Sequence, residues 1–101
     1  MKEMTAKEVQ HRLEAGESLN IIDVREREKI TEGHIKGIIH IPLGELESRV
    51  SELDENKEYI LVCRSSVRSA KATAYLEALG YNAINLAGGM MAWERNVEKN
   101  F

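Results

Sequence analysis

Cys63 is the chain's one cysteine, and Arg64-Ser65-Ser66-Val67-Arg68-Ser69 follows it directly. The preceding run, Tyr59-Ile60-Leu61-Val62, has the composition of a buried parallel strand, and the alanine-rich stretch that follows the loop ends at Gly80. The order predicts strand, tight loop and helix, with the sulfur at the junction. The loop and first helical turn at such a junction present unpaired backbone N–H groups, and the helix dipole adds a positive field. Arg64 and Arg68 bring two further positive charges. All three effects favour thiolate over thiol, and the thiolate is the nucleophile. A lone cysteine after a strand is often only a small buried hydrophobe. That role does not call for two arginines and three serines in the next six positions, so we read Cys63 as a reactive thiol and Arg64 through Ser69 as its anion-binding loop.

The rest of the composition narrows the chemistry. A chain of 101 residues is expected to form one domain over 1–101. Its formal charge of −3 argues against nucleic acid as the main partner. Acidic residues gather between Glu45 and Glu58, whereas Arg64, Arg68 and Lys71 lie near Cys63, so a small anion can be drawn to the cysteine of an acidic protein. One cysteine excludes an intramolecular disulfide and a C-x-x-C pair, and the three histidines are too scattered for a metal-ligand spacing. No metal and no cofactor is expected. Met1 to Gln10 lacks the apolar core of a signal peptide, and no apolar stretch approaches the roughly 20 residues of a membrane span. We therefore expect no membrane association and a reducing, cytoplasmic setting.

The elements that must position the loop are legible from spacing. Thr5-Ala6-Lys7-Glu8 fits a capping box, and Val9 and Leu13 share the face of the helix it opens, with Gly16 as its stop. Leu19 to Val24, Ile38 to Ile41, Tyr59 to Val62 and Asn82 to Leu86 read as strands. Arg25 to Glu32 reads as a loop or short helix, and Leu43, Leu46 and Val50 as one short amphipathic helix. A longer helix is expected over Val67 to Leu79, with Ala70, Ala74 and Ala78 against the sheet, Leu76 and Leu79 supplying bulk, and Gly80 as left-handed stop. Gly88-Gly89 should open a last helix containing Met90, Met91 and Trp93. The alternation predicts an α/β fold with a mainly parallel sheet covered on both faces. Sites in such sheets lie beyond the carboxyl ends of the strands, where both Cys63 and Asp23-Val24-Arg25 fall.

Four segments together resemble a rhodanese domain: Ile22-Asp23-Val24-Arg25; Gly33-His34-Ile35-Lys36-Gly37 with Ile41-Pro42; Val62-Cys63 through Ser69; and Leu79-Gly80-Tyr81 with Leu86-Ala87-Gly88-Gly89 and Trp93. The resemblance implies a sheet of about five mainly parallel strands between helices, and a sulfurtransferase. Sulfane sulfur would pass from thiosulfate or a persulfide donor to a thiophilic acceptor, cyanide or a thiol, through a persulfide on Cys63. A protein carrying a persulfide is a further candidate partner. The implied cradle is the backbone of Arg64, Ser65, Ser66, Val67, Arg68 and Ser69. Related phosphatases use a loop one residue longer, with arginine six positions after cysteine, whereas Arg68 stands five positions after Cys63. The shorter loop fits sulfur better than a tetrahedral phosphate or arsenate, which disfavours a phosphatase or arsenate reductase. The intact Cys63 with its arginines disfavours a non-catalytic regulatory or docking module.

Many loops of the family read C-x-x-G-x-R-S, with glycine where this chain has Ser66. Serine there either tolerates the left-handed backbone that glycine allows or strains and reshapes the cradle. The substitution bears on turnover and donor preference more than on the fold. Asp23 is expected to brace neighbouring loops, and Arg25 either contacts substrate or pairs with a nearby acid. His34 reads as a structural hydrogen-bonder in its turn.

Overall fold

The computed structural model describes residues 1–99. Five strands form one sheet in the order β1-β5-β4-β2-β3: β1 (Lys2–Thr5), β2 (Asn20–Asp23), β3 (Ile39–His40), β4 (Glu58–Val62) and β5 (Asn82–Ala87). All four neighbouring pairs are parallel. Parallel strands need crossovers, which put helices on the faces and bury both sides of the central strands. Alternate residues accordingly enter two separate cores. Ile21, Ile60, Val62, Ile84 and Leu86 pack on one face with Val9 of α1 (Ala6–Glu14). Ile22, Leu61 and Ala83 pack on the other with Ala72 and Leu76 of α4 (Val67–Ala78).

The capping box at Thr5 forms as expected. The Glu8 N–H donates to Thr5 Oγ1 at 3.1 Å, and the Thr5 N–H donates to Glu8 Oε1 at 3.3 Å. Such a cap is worth about 1 kcal/mol. Gly16 ends this helix at φ +88°, and Gly80 follows α4 at φ +92°, both left-handed.

Four local expectations are corrected. The first strand, β1, was not anticipated: of its four residues only Met4 is buried, too few for a visible period. Its exposed Lys2 and Glu3 suit an edge strand, where charge blocks pairing with another chain. The segment from Leu43 to Glu52 is not one helix but a 3₁₀ turn (Leu43–Glu45), α3 (Leu46–Arg49) and a second 3₁₀ turn (Val50–Glu52). Gly89–Ala92 is likewise a single 3₁₀ turn rather than a helix. The buried face of α4 is Ser69, Ala72, Thr73 and Leu76, while Ala74 and Ala78 are exposed and Leu79 is 46% exposed. Ser69 and Thr73 can be buried on this face because their hydroxyls are satisfied, Ser69 by the sheet and Thr73 by its own helix. Thr73 donates to the Ser69 carbonyl at 2.7 Å, and Ser69 lies 2.6 Å from Asn85 Oδ1.

The order of strands positions the site. β4 lies between β5 and β2, and its register aligns Val62 with Asp23. Cys63 therefore leaves the sheet near its centre, beside the end of β2. The Arg27–Ile30 turn, α2, follows β2 on the same rim.

Candidate active site

Cys63 is 2% exposed, and its sulfur sits inside the turn its own loop makes. The Ser66 N–H donates to Sγ at 3.0 Å, the Ser69 N–H at 3.4 Å, and the Ser69 hydroxyl oxygen lies 3.3 Å away. Burial pushes the Cys63 thiol up. The Ser69 hydroxyl and the amides of Ser69, Ser65 and Ser66 outweigh it, so the thiol titrates below its ordinary value. The arginines are not among the causes, contrary to the expectation from sequence. Arg64 is exposed, and Arg68 reaches outward to Glu26 Oε1 at 3.7 Å with both side chains over half exposed. Activation rests on directed hydrogen bonds in a small space and not on net charge.

Above the sulfur lies an open cavity of about 720 Å³. Arg25, Lys29, Arg64 and Arg68 supply its cations; Glu26, Glu28 and Glu32 supply its acids; and the exposed Val67 forms part of the wall. The rim is thus mixed in charge, with the arginines of the loop nearest in sequence to the sulfur.

Ser66 has φ +82° and ψ −6°, and is the one non-glycine residue with positive φ among the described residues. Of the two possibilities open to it, serine takes the conformation that glycine would take, and its side chain makes no capping hydrogen bond to α4. The backbone stays as the Sγ contacts require, at a cost of about 1–2 kcal/mol for a left-handed non-glycine residue. Ser66→Gly should relieve this strain, offset by about 0.4–1 kcal/mol of added unfolded-chain entropy. We expect a net stabilisation of roughly 0.5–1 kcal/mol, read as a thermal unfolding midpoint a few degrees higher. Because the amides already point at the sulfur, the reaction of Cys63 with iodoacetamide should change less than about twofold. A lower midpoint would show that the serine side chain supports the loop.

Asp23 is fully buried and does not touch the sulfur. It receives the backbone N–H of Arg25 at 3.0 Å and the Arg25 guanidinium at 2.8–3.1 Å. The same guanidinium donates to the Gly33 carbonyl at 2.8 Å, tying the end of β2 to the next turn. Asp23 is placed as a brace. Arg25 lines the cavity, but its guanidinium is engaged by the acid and this carbonyl. His34 is buried with Nδ1 3.0 Å from the Ile30 carbonyl, and its backbone bridges to Glu98 in both directions at 2.8 Å.

Two contributors were not singled out from the sequence. The Gly88-Gly89 turn holds the loop from behind. The N–H groups of Met90 and Met91 donate to the Cys63 and Arg64 carbonyls at 2.8 and 3.0 Å. A Cβ on Gly89 would meet those same two oxygens at 2.5 and 2.6 Å, so only glycine allows this approach. The adjacent glycines were a visible signal, but nothing local said what approached them. The second is Asn85, buried on β5 behind Ser69.

Comparison with known proteins agrees with this architecture. The Rhodanese-like domain family matches residues 5–96. The Bacillus subtilis protein "Putative sulfurtransferase YtwF" is 42% identical over 94 residues, covering 93% of this chain and 91% of that one. "Putative sulfur carrier protein YrkF" of the same organism is 40% identical, covering 95% of this chain and 52% of that one. The crystal structure of a rhodanese-like domain protein from Staphylococcus aureus superposes with a TM-score of 0.94 at 35% identity, covering both chains fully. These relatives support sulfur transfer of the rhodanese type as the class of activity. With its parallel five-stranded sheet, its loop at the end of the central strand and this match across nearly its whole length, the chain belongs to the rhodanese-like domain family.

Proposed function

We propose that the protein is a sulfurtransferase that carries sulfane sulfur as a persulfide on Cys63, taking it from thiosulfate or a persulfide donor and passing it to a thiophilic acceptor. The observation that carries this reading is the Cys63 sulfur at the floor of an open cavity, receiving two amide N–H groups from its own loop.

The chemistry follows from that arrangement. The Cys63 thiolate attacks the outer sulfur of thiosulfate. A new S–S bond forms, the S–S bond of the donor breaks, and its electron pair leaves with sulfite. Cys63 then carries a terminal anionic sulfur. Cyanide or a thiolate attacks that sulfur, forming thiocyanate or a new persulfide, and the electron pair of the broken bond returns to Cys63. No base is required when the thiol is already ionised. Arg64 and Arg68 on the rim draw the anionic donor in, and the amides of residues 65, 66 and 69 hold negative charge in each state. The cavity is much larger than thiosulfate alone needs, which leaves room for an acceptor thiol presented by a second protein.

Intact-mass measurement after thiosulfate treatment tests the reading. We expect one added sulfur atom per chain, lost on addition of cyanide with release of thiocyanate. No adduct with thiosulfate or with a persulfide donor would overturn the proposal.

A further inference from the structure

Behind the sulfur, the second core contains a short polar chain. Ser69 and Asn85 are buried, at 0% and 1% exposure, and α4 and β5 bring them together in a mainly apolar layer. Ser69 Oγ lies 2.6 Å from Asn85 Oδ1 and 3.3 Å from the Cys63 sulfur. Asn85 Nδ2 in turn donates to Glu3 Oε2 at 3.3 Å, and the register of β1 on β5 sets Glu3 directly beside Asn85. The chain therefore runs from the sulfur through Ser69 and Asn85 to an exposed carboxylate on the edge strand.

A hydroxyl has one proton, and Ser69 has two neighbours that can accept it. When Cys63 is a thiol, the counts close: the S–H donates to Ser69 Oγ, Ser69 donates to Asn85 Oδ1, and Asn85 donates to Glu3. When the sulfur loses its proton to water, it needs the Ser69 hydroxyl as a donor. The proton that lay between Ser69 and Asn85 is then gone from that contact, and two acceptor oxygens face each other at 2.6 Å in a buried layer. An unmade buried hydrogen bond of this kind is costly. Turning the Asn85 amide by half a turn removes the conflict. Nδ2 then donates to Ser69 Oγ, and Oδ1 faces Glu3, which has solvent to turn into.

We propose that Asn85 is a positioning residue whose amide orientation decides whether the Ser69 hydroxyl points at the Cys63 sulfur, and that Glu3 biases this orientation toward the thiol state. The inference rests on Cys63 as the reacting sulfur. It concerns how the sulfur is held, and alkylation reads that without any sulfur transfer, so it can fail while the proposed function stands.

The midpoint of Cys63 alkylation by iodoacetamide against pH is the measurement. The charged groups facing the open side of the sulfur are Arg25, Lys29, Arg64 and Arg68 with Glu26, Glu28 and Glu32, and all are left unchanged. Glu3→Gln removes the carboxylate but leaves an amide that can accept from Asn85 Nδ2 or donate to the turned Asn85 Oδ1, so it takes away the bias and should lower the midpoint by about half a unit to one unit, the worth of one net hydrogen bond. In an Asn85→Leu background the same substitution should move the midpoint less than half as far. An unchanged midpoint in Glu3→Gln would overturn the proposal. So would a shift that persists undiminished with Asn85→Leu, as a field effect alone would give. Should Asn85→Leu not fold, the Glu3→Gln shift is read at low and at high salt: a hydrogen-bond bias survives screening, and a shift that disappears with salt overturns the proposal.

Discussion

Cys63→Ser is expected to abolish sulfur transfer while the protein stays folded. Serine fits the same buried space, and its oxygen can accept from the Ser66 and Ser69 amides that now reach the sulfur. The substitution removes only the polarisable nucleophile. Loss of the covalent route should lower thiocyanate formation by at least about a thousandfold. Intact mass should show no sulfur adduct under conditions that load the wild-type chain. Far-ultraviolet circular dichroism and the unfolding midpoint should stay close to wild type. Full activity in this variant would remove Cys63 from the reaction altogether, since the chain has no second cysteine to take its place.

Asp23→Ala should produce the largest loss of stability among single changes near the site, about 3–5 kcal/mol. Asp23 is fully buried, and its partner Arg25 has 11% of its side chain exposed, so removing the carboxylate leaves a guanidinium poorly solvated with the Gly33 carbonyl as its one remaining partner among the described residues. It also strips the acceptor from the Arg25 backbone N–H at the turn out of β2. In urea the unfolding midpoint should fall accordingly, with little change in slope. Asp23→Asn keeps one acceptor oxygen and should lose less. Because Asp23 does not touch the sulfur, the folded fraction of Asp23→Asn should alkylate with a midpoint near that of wild type. A destabilisation below about 1 kcal/mol for Asp23→Ala would show that the pair is not the brace proposed for it.

On the proposed function, stability and reactivity fall to different strand ends. β2 ends in an ion pair that holds backbone, while β4 ends in a sulfur held by backbone. They are brought side by side by the pairing of Asp23 with Val62. The Gly88-Gly89 turn after β5 completes the arrangement by holding the carbonyls of Cys63 and Arg64. Three successive neighbours in the sheet thus end side by side, and two of them, β4 and β5, lead into the groups that hold the Cys63 loop.

What the sequence by itself determined was local chemistry. The Thr5 cap, the strand before Cys63, the loop, the start of α4 and the stop at Gly80 each depend on residues within a few positions of one another, and each formed as read. The alternation of strands and helices predicted the mainly parallel sheet, and the family resemblance added its count of about five strands. Tertiary structure decided the rest, because it depends on what arrives from far along the chain. β1 exists through pairing with β5, some 80 residues away, and its four residues carry no period of their own. The face of α4 that meets the sheet carries Ser69, bonded to Asn85 of β5, and Thr73, satisfied by the helix's own backbone, in place of the regularly spaced Ala74 and Ala78. The source of the cysteine's acidity was decided in the same way. Arginines close in sequence turned outward, while the Ser69 amide and hydroxyl, the latter also bonded to Asn85 of another strand, came within reach of the sulfur. Charge is visible in a sequence, but the direction of a hydrogen bond exists only once both partners have been brought to their places.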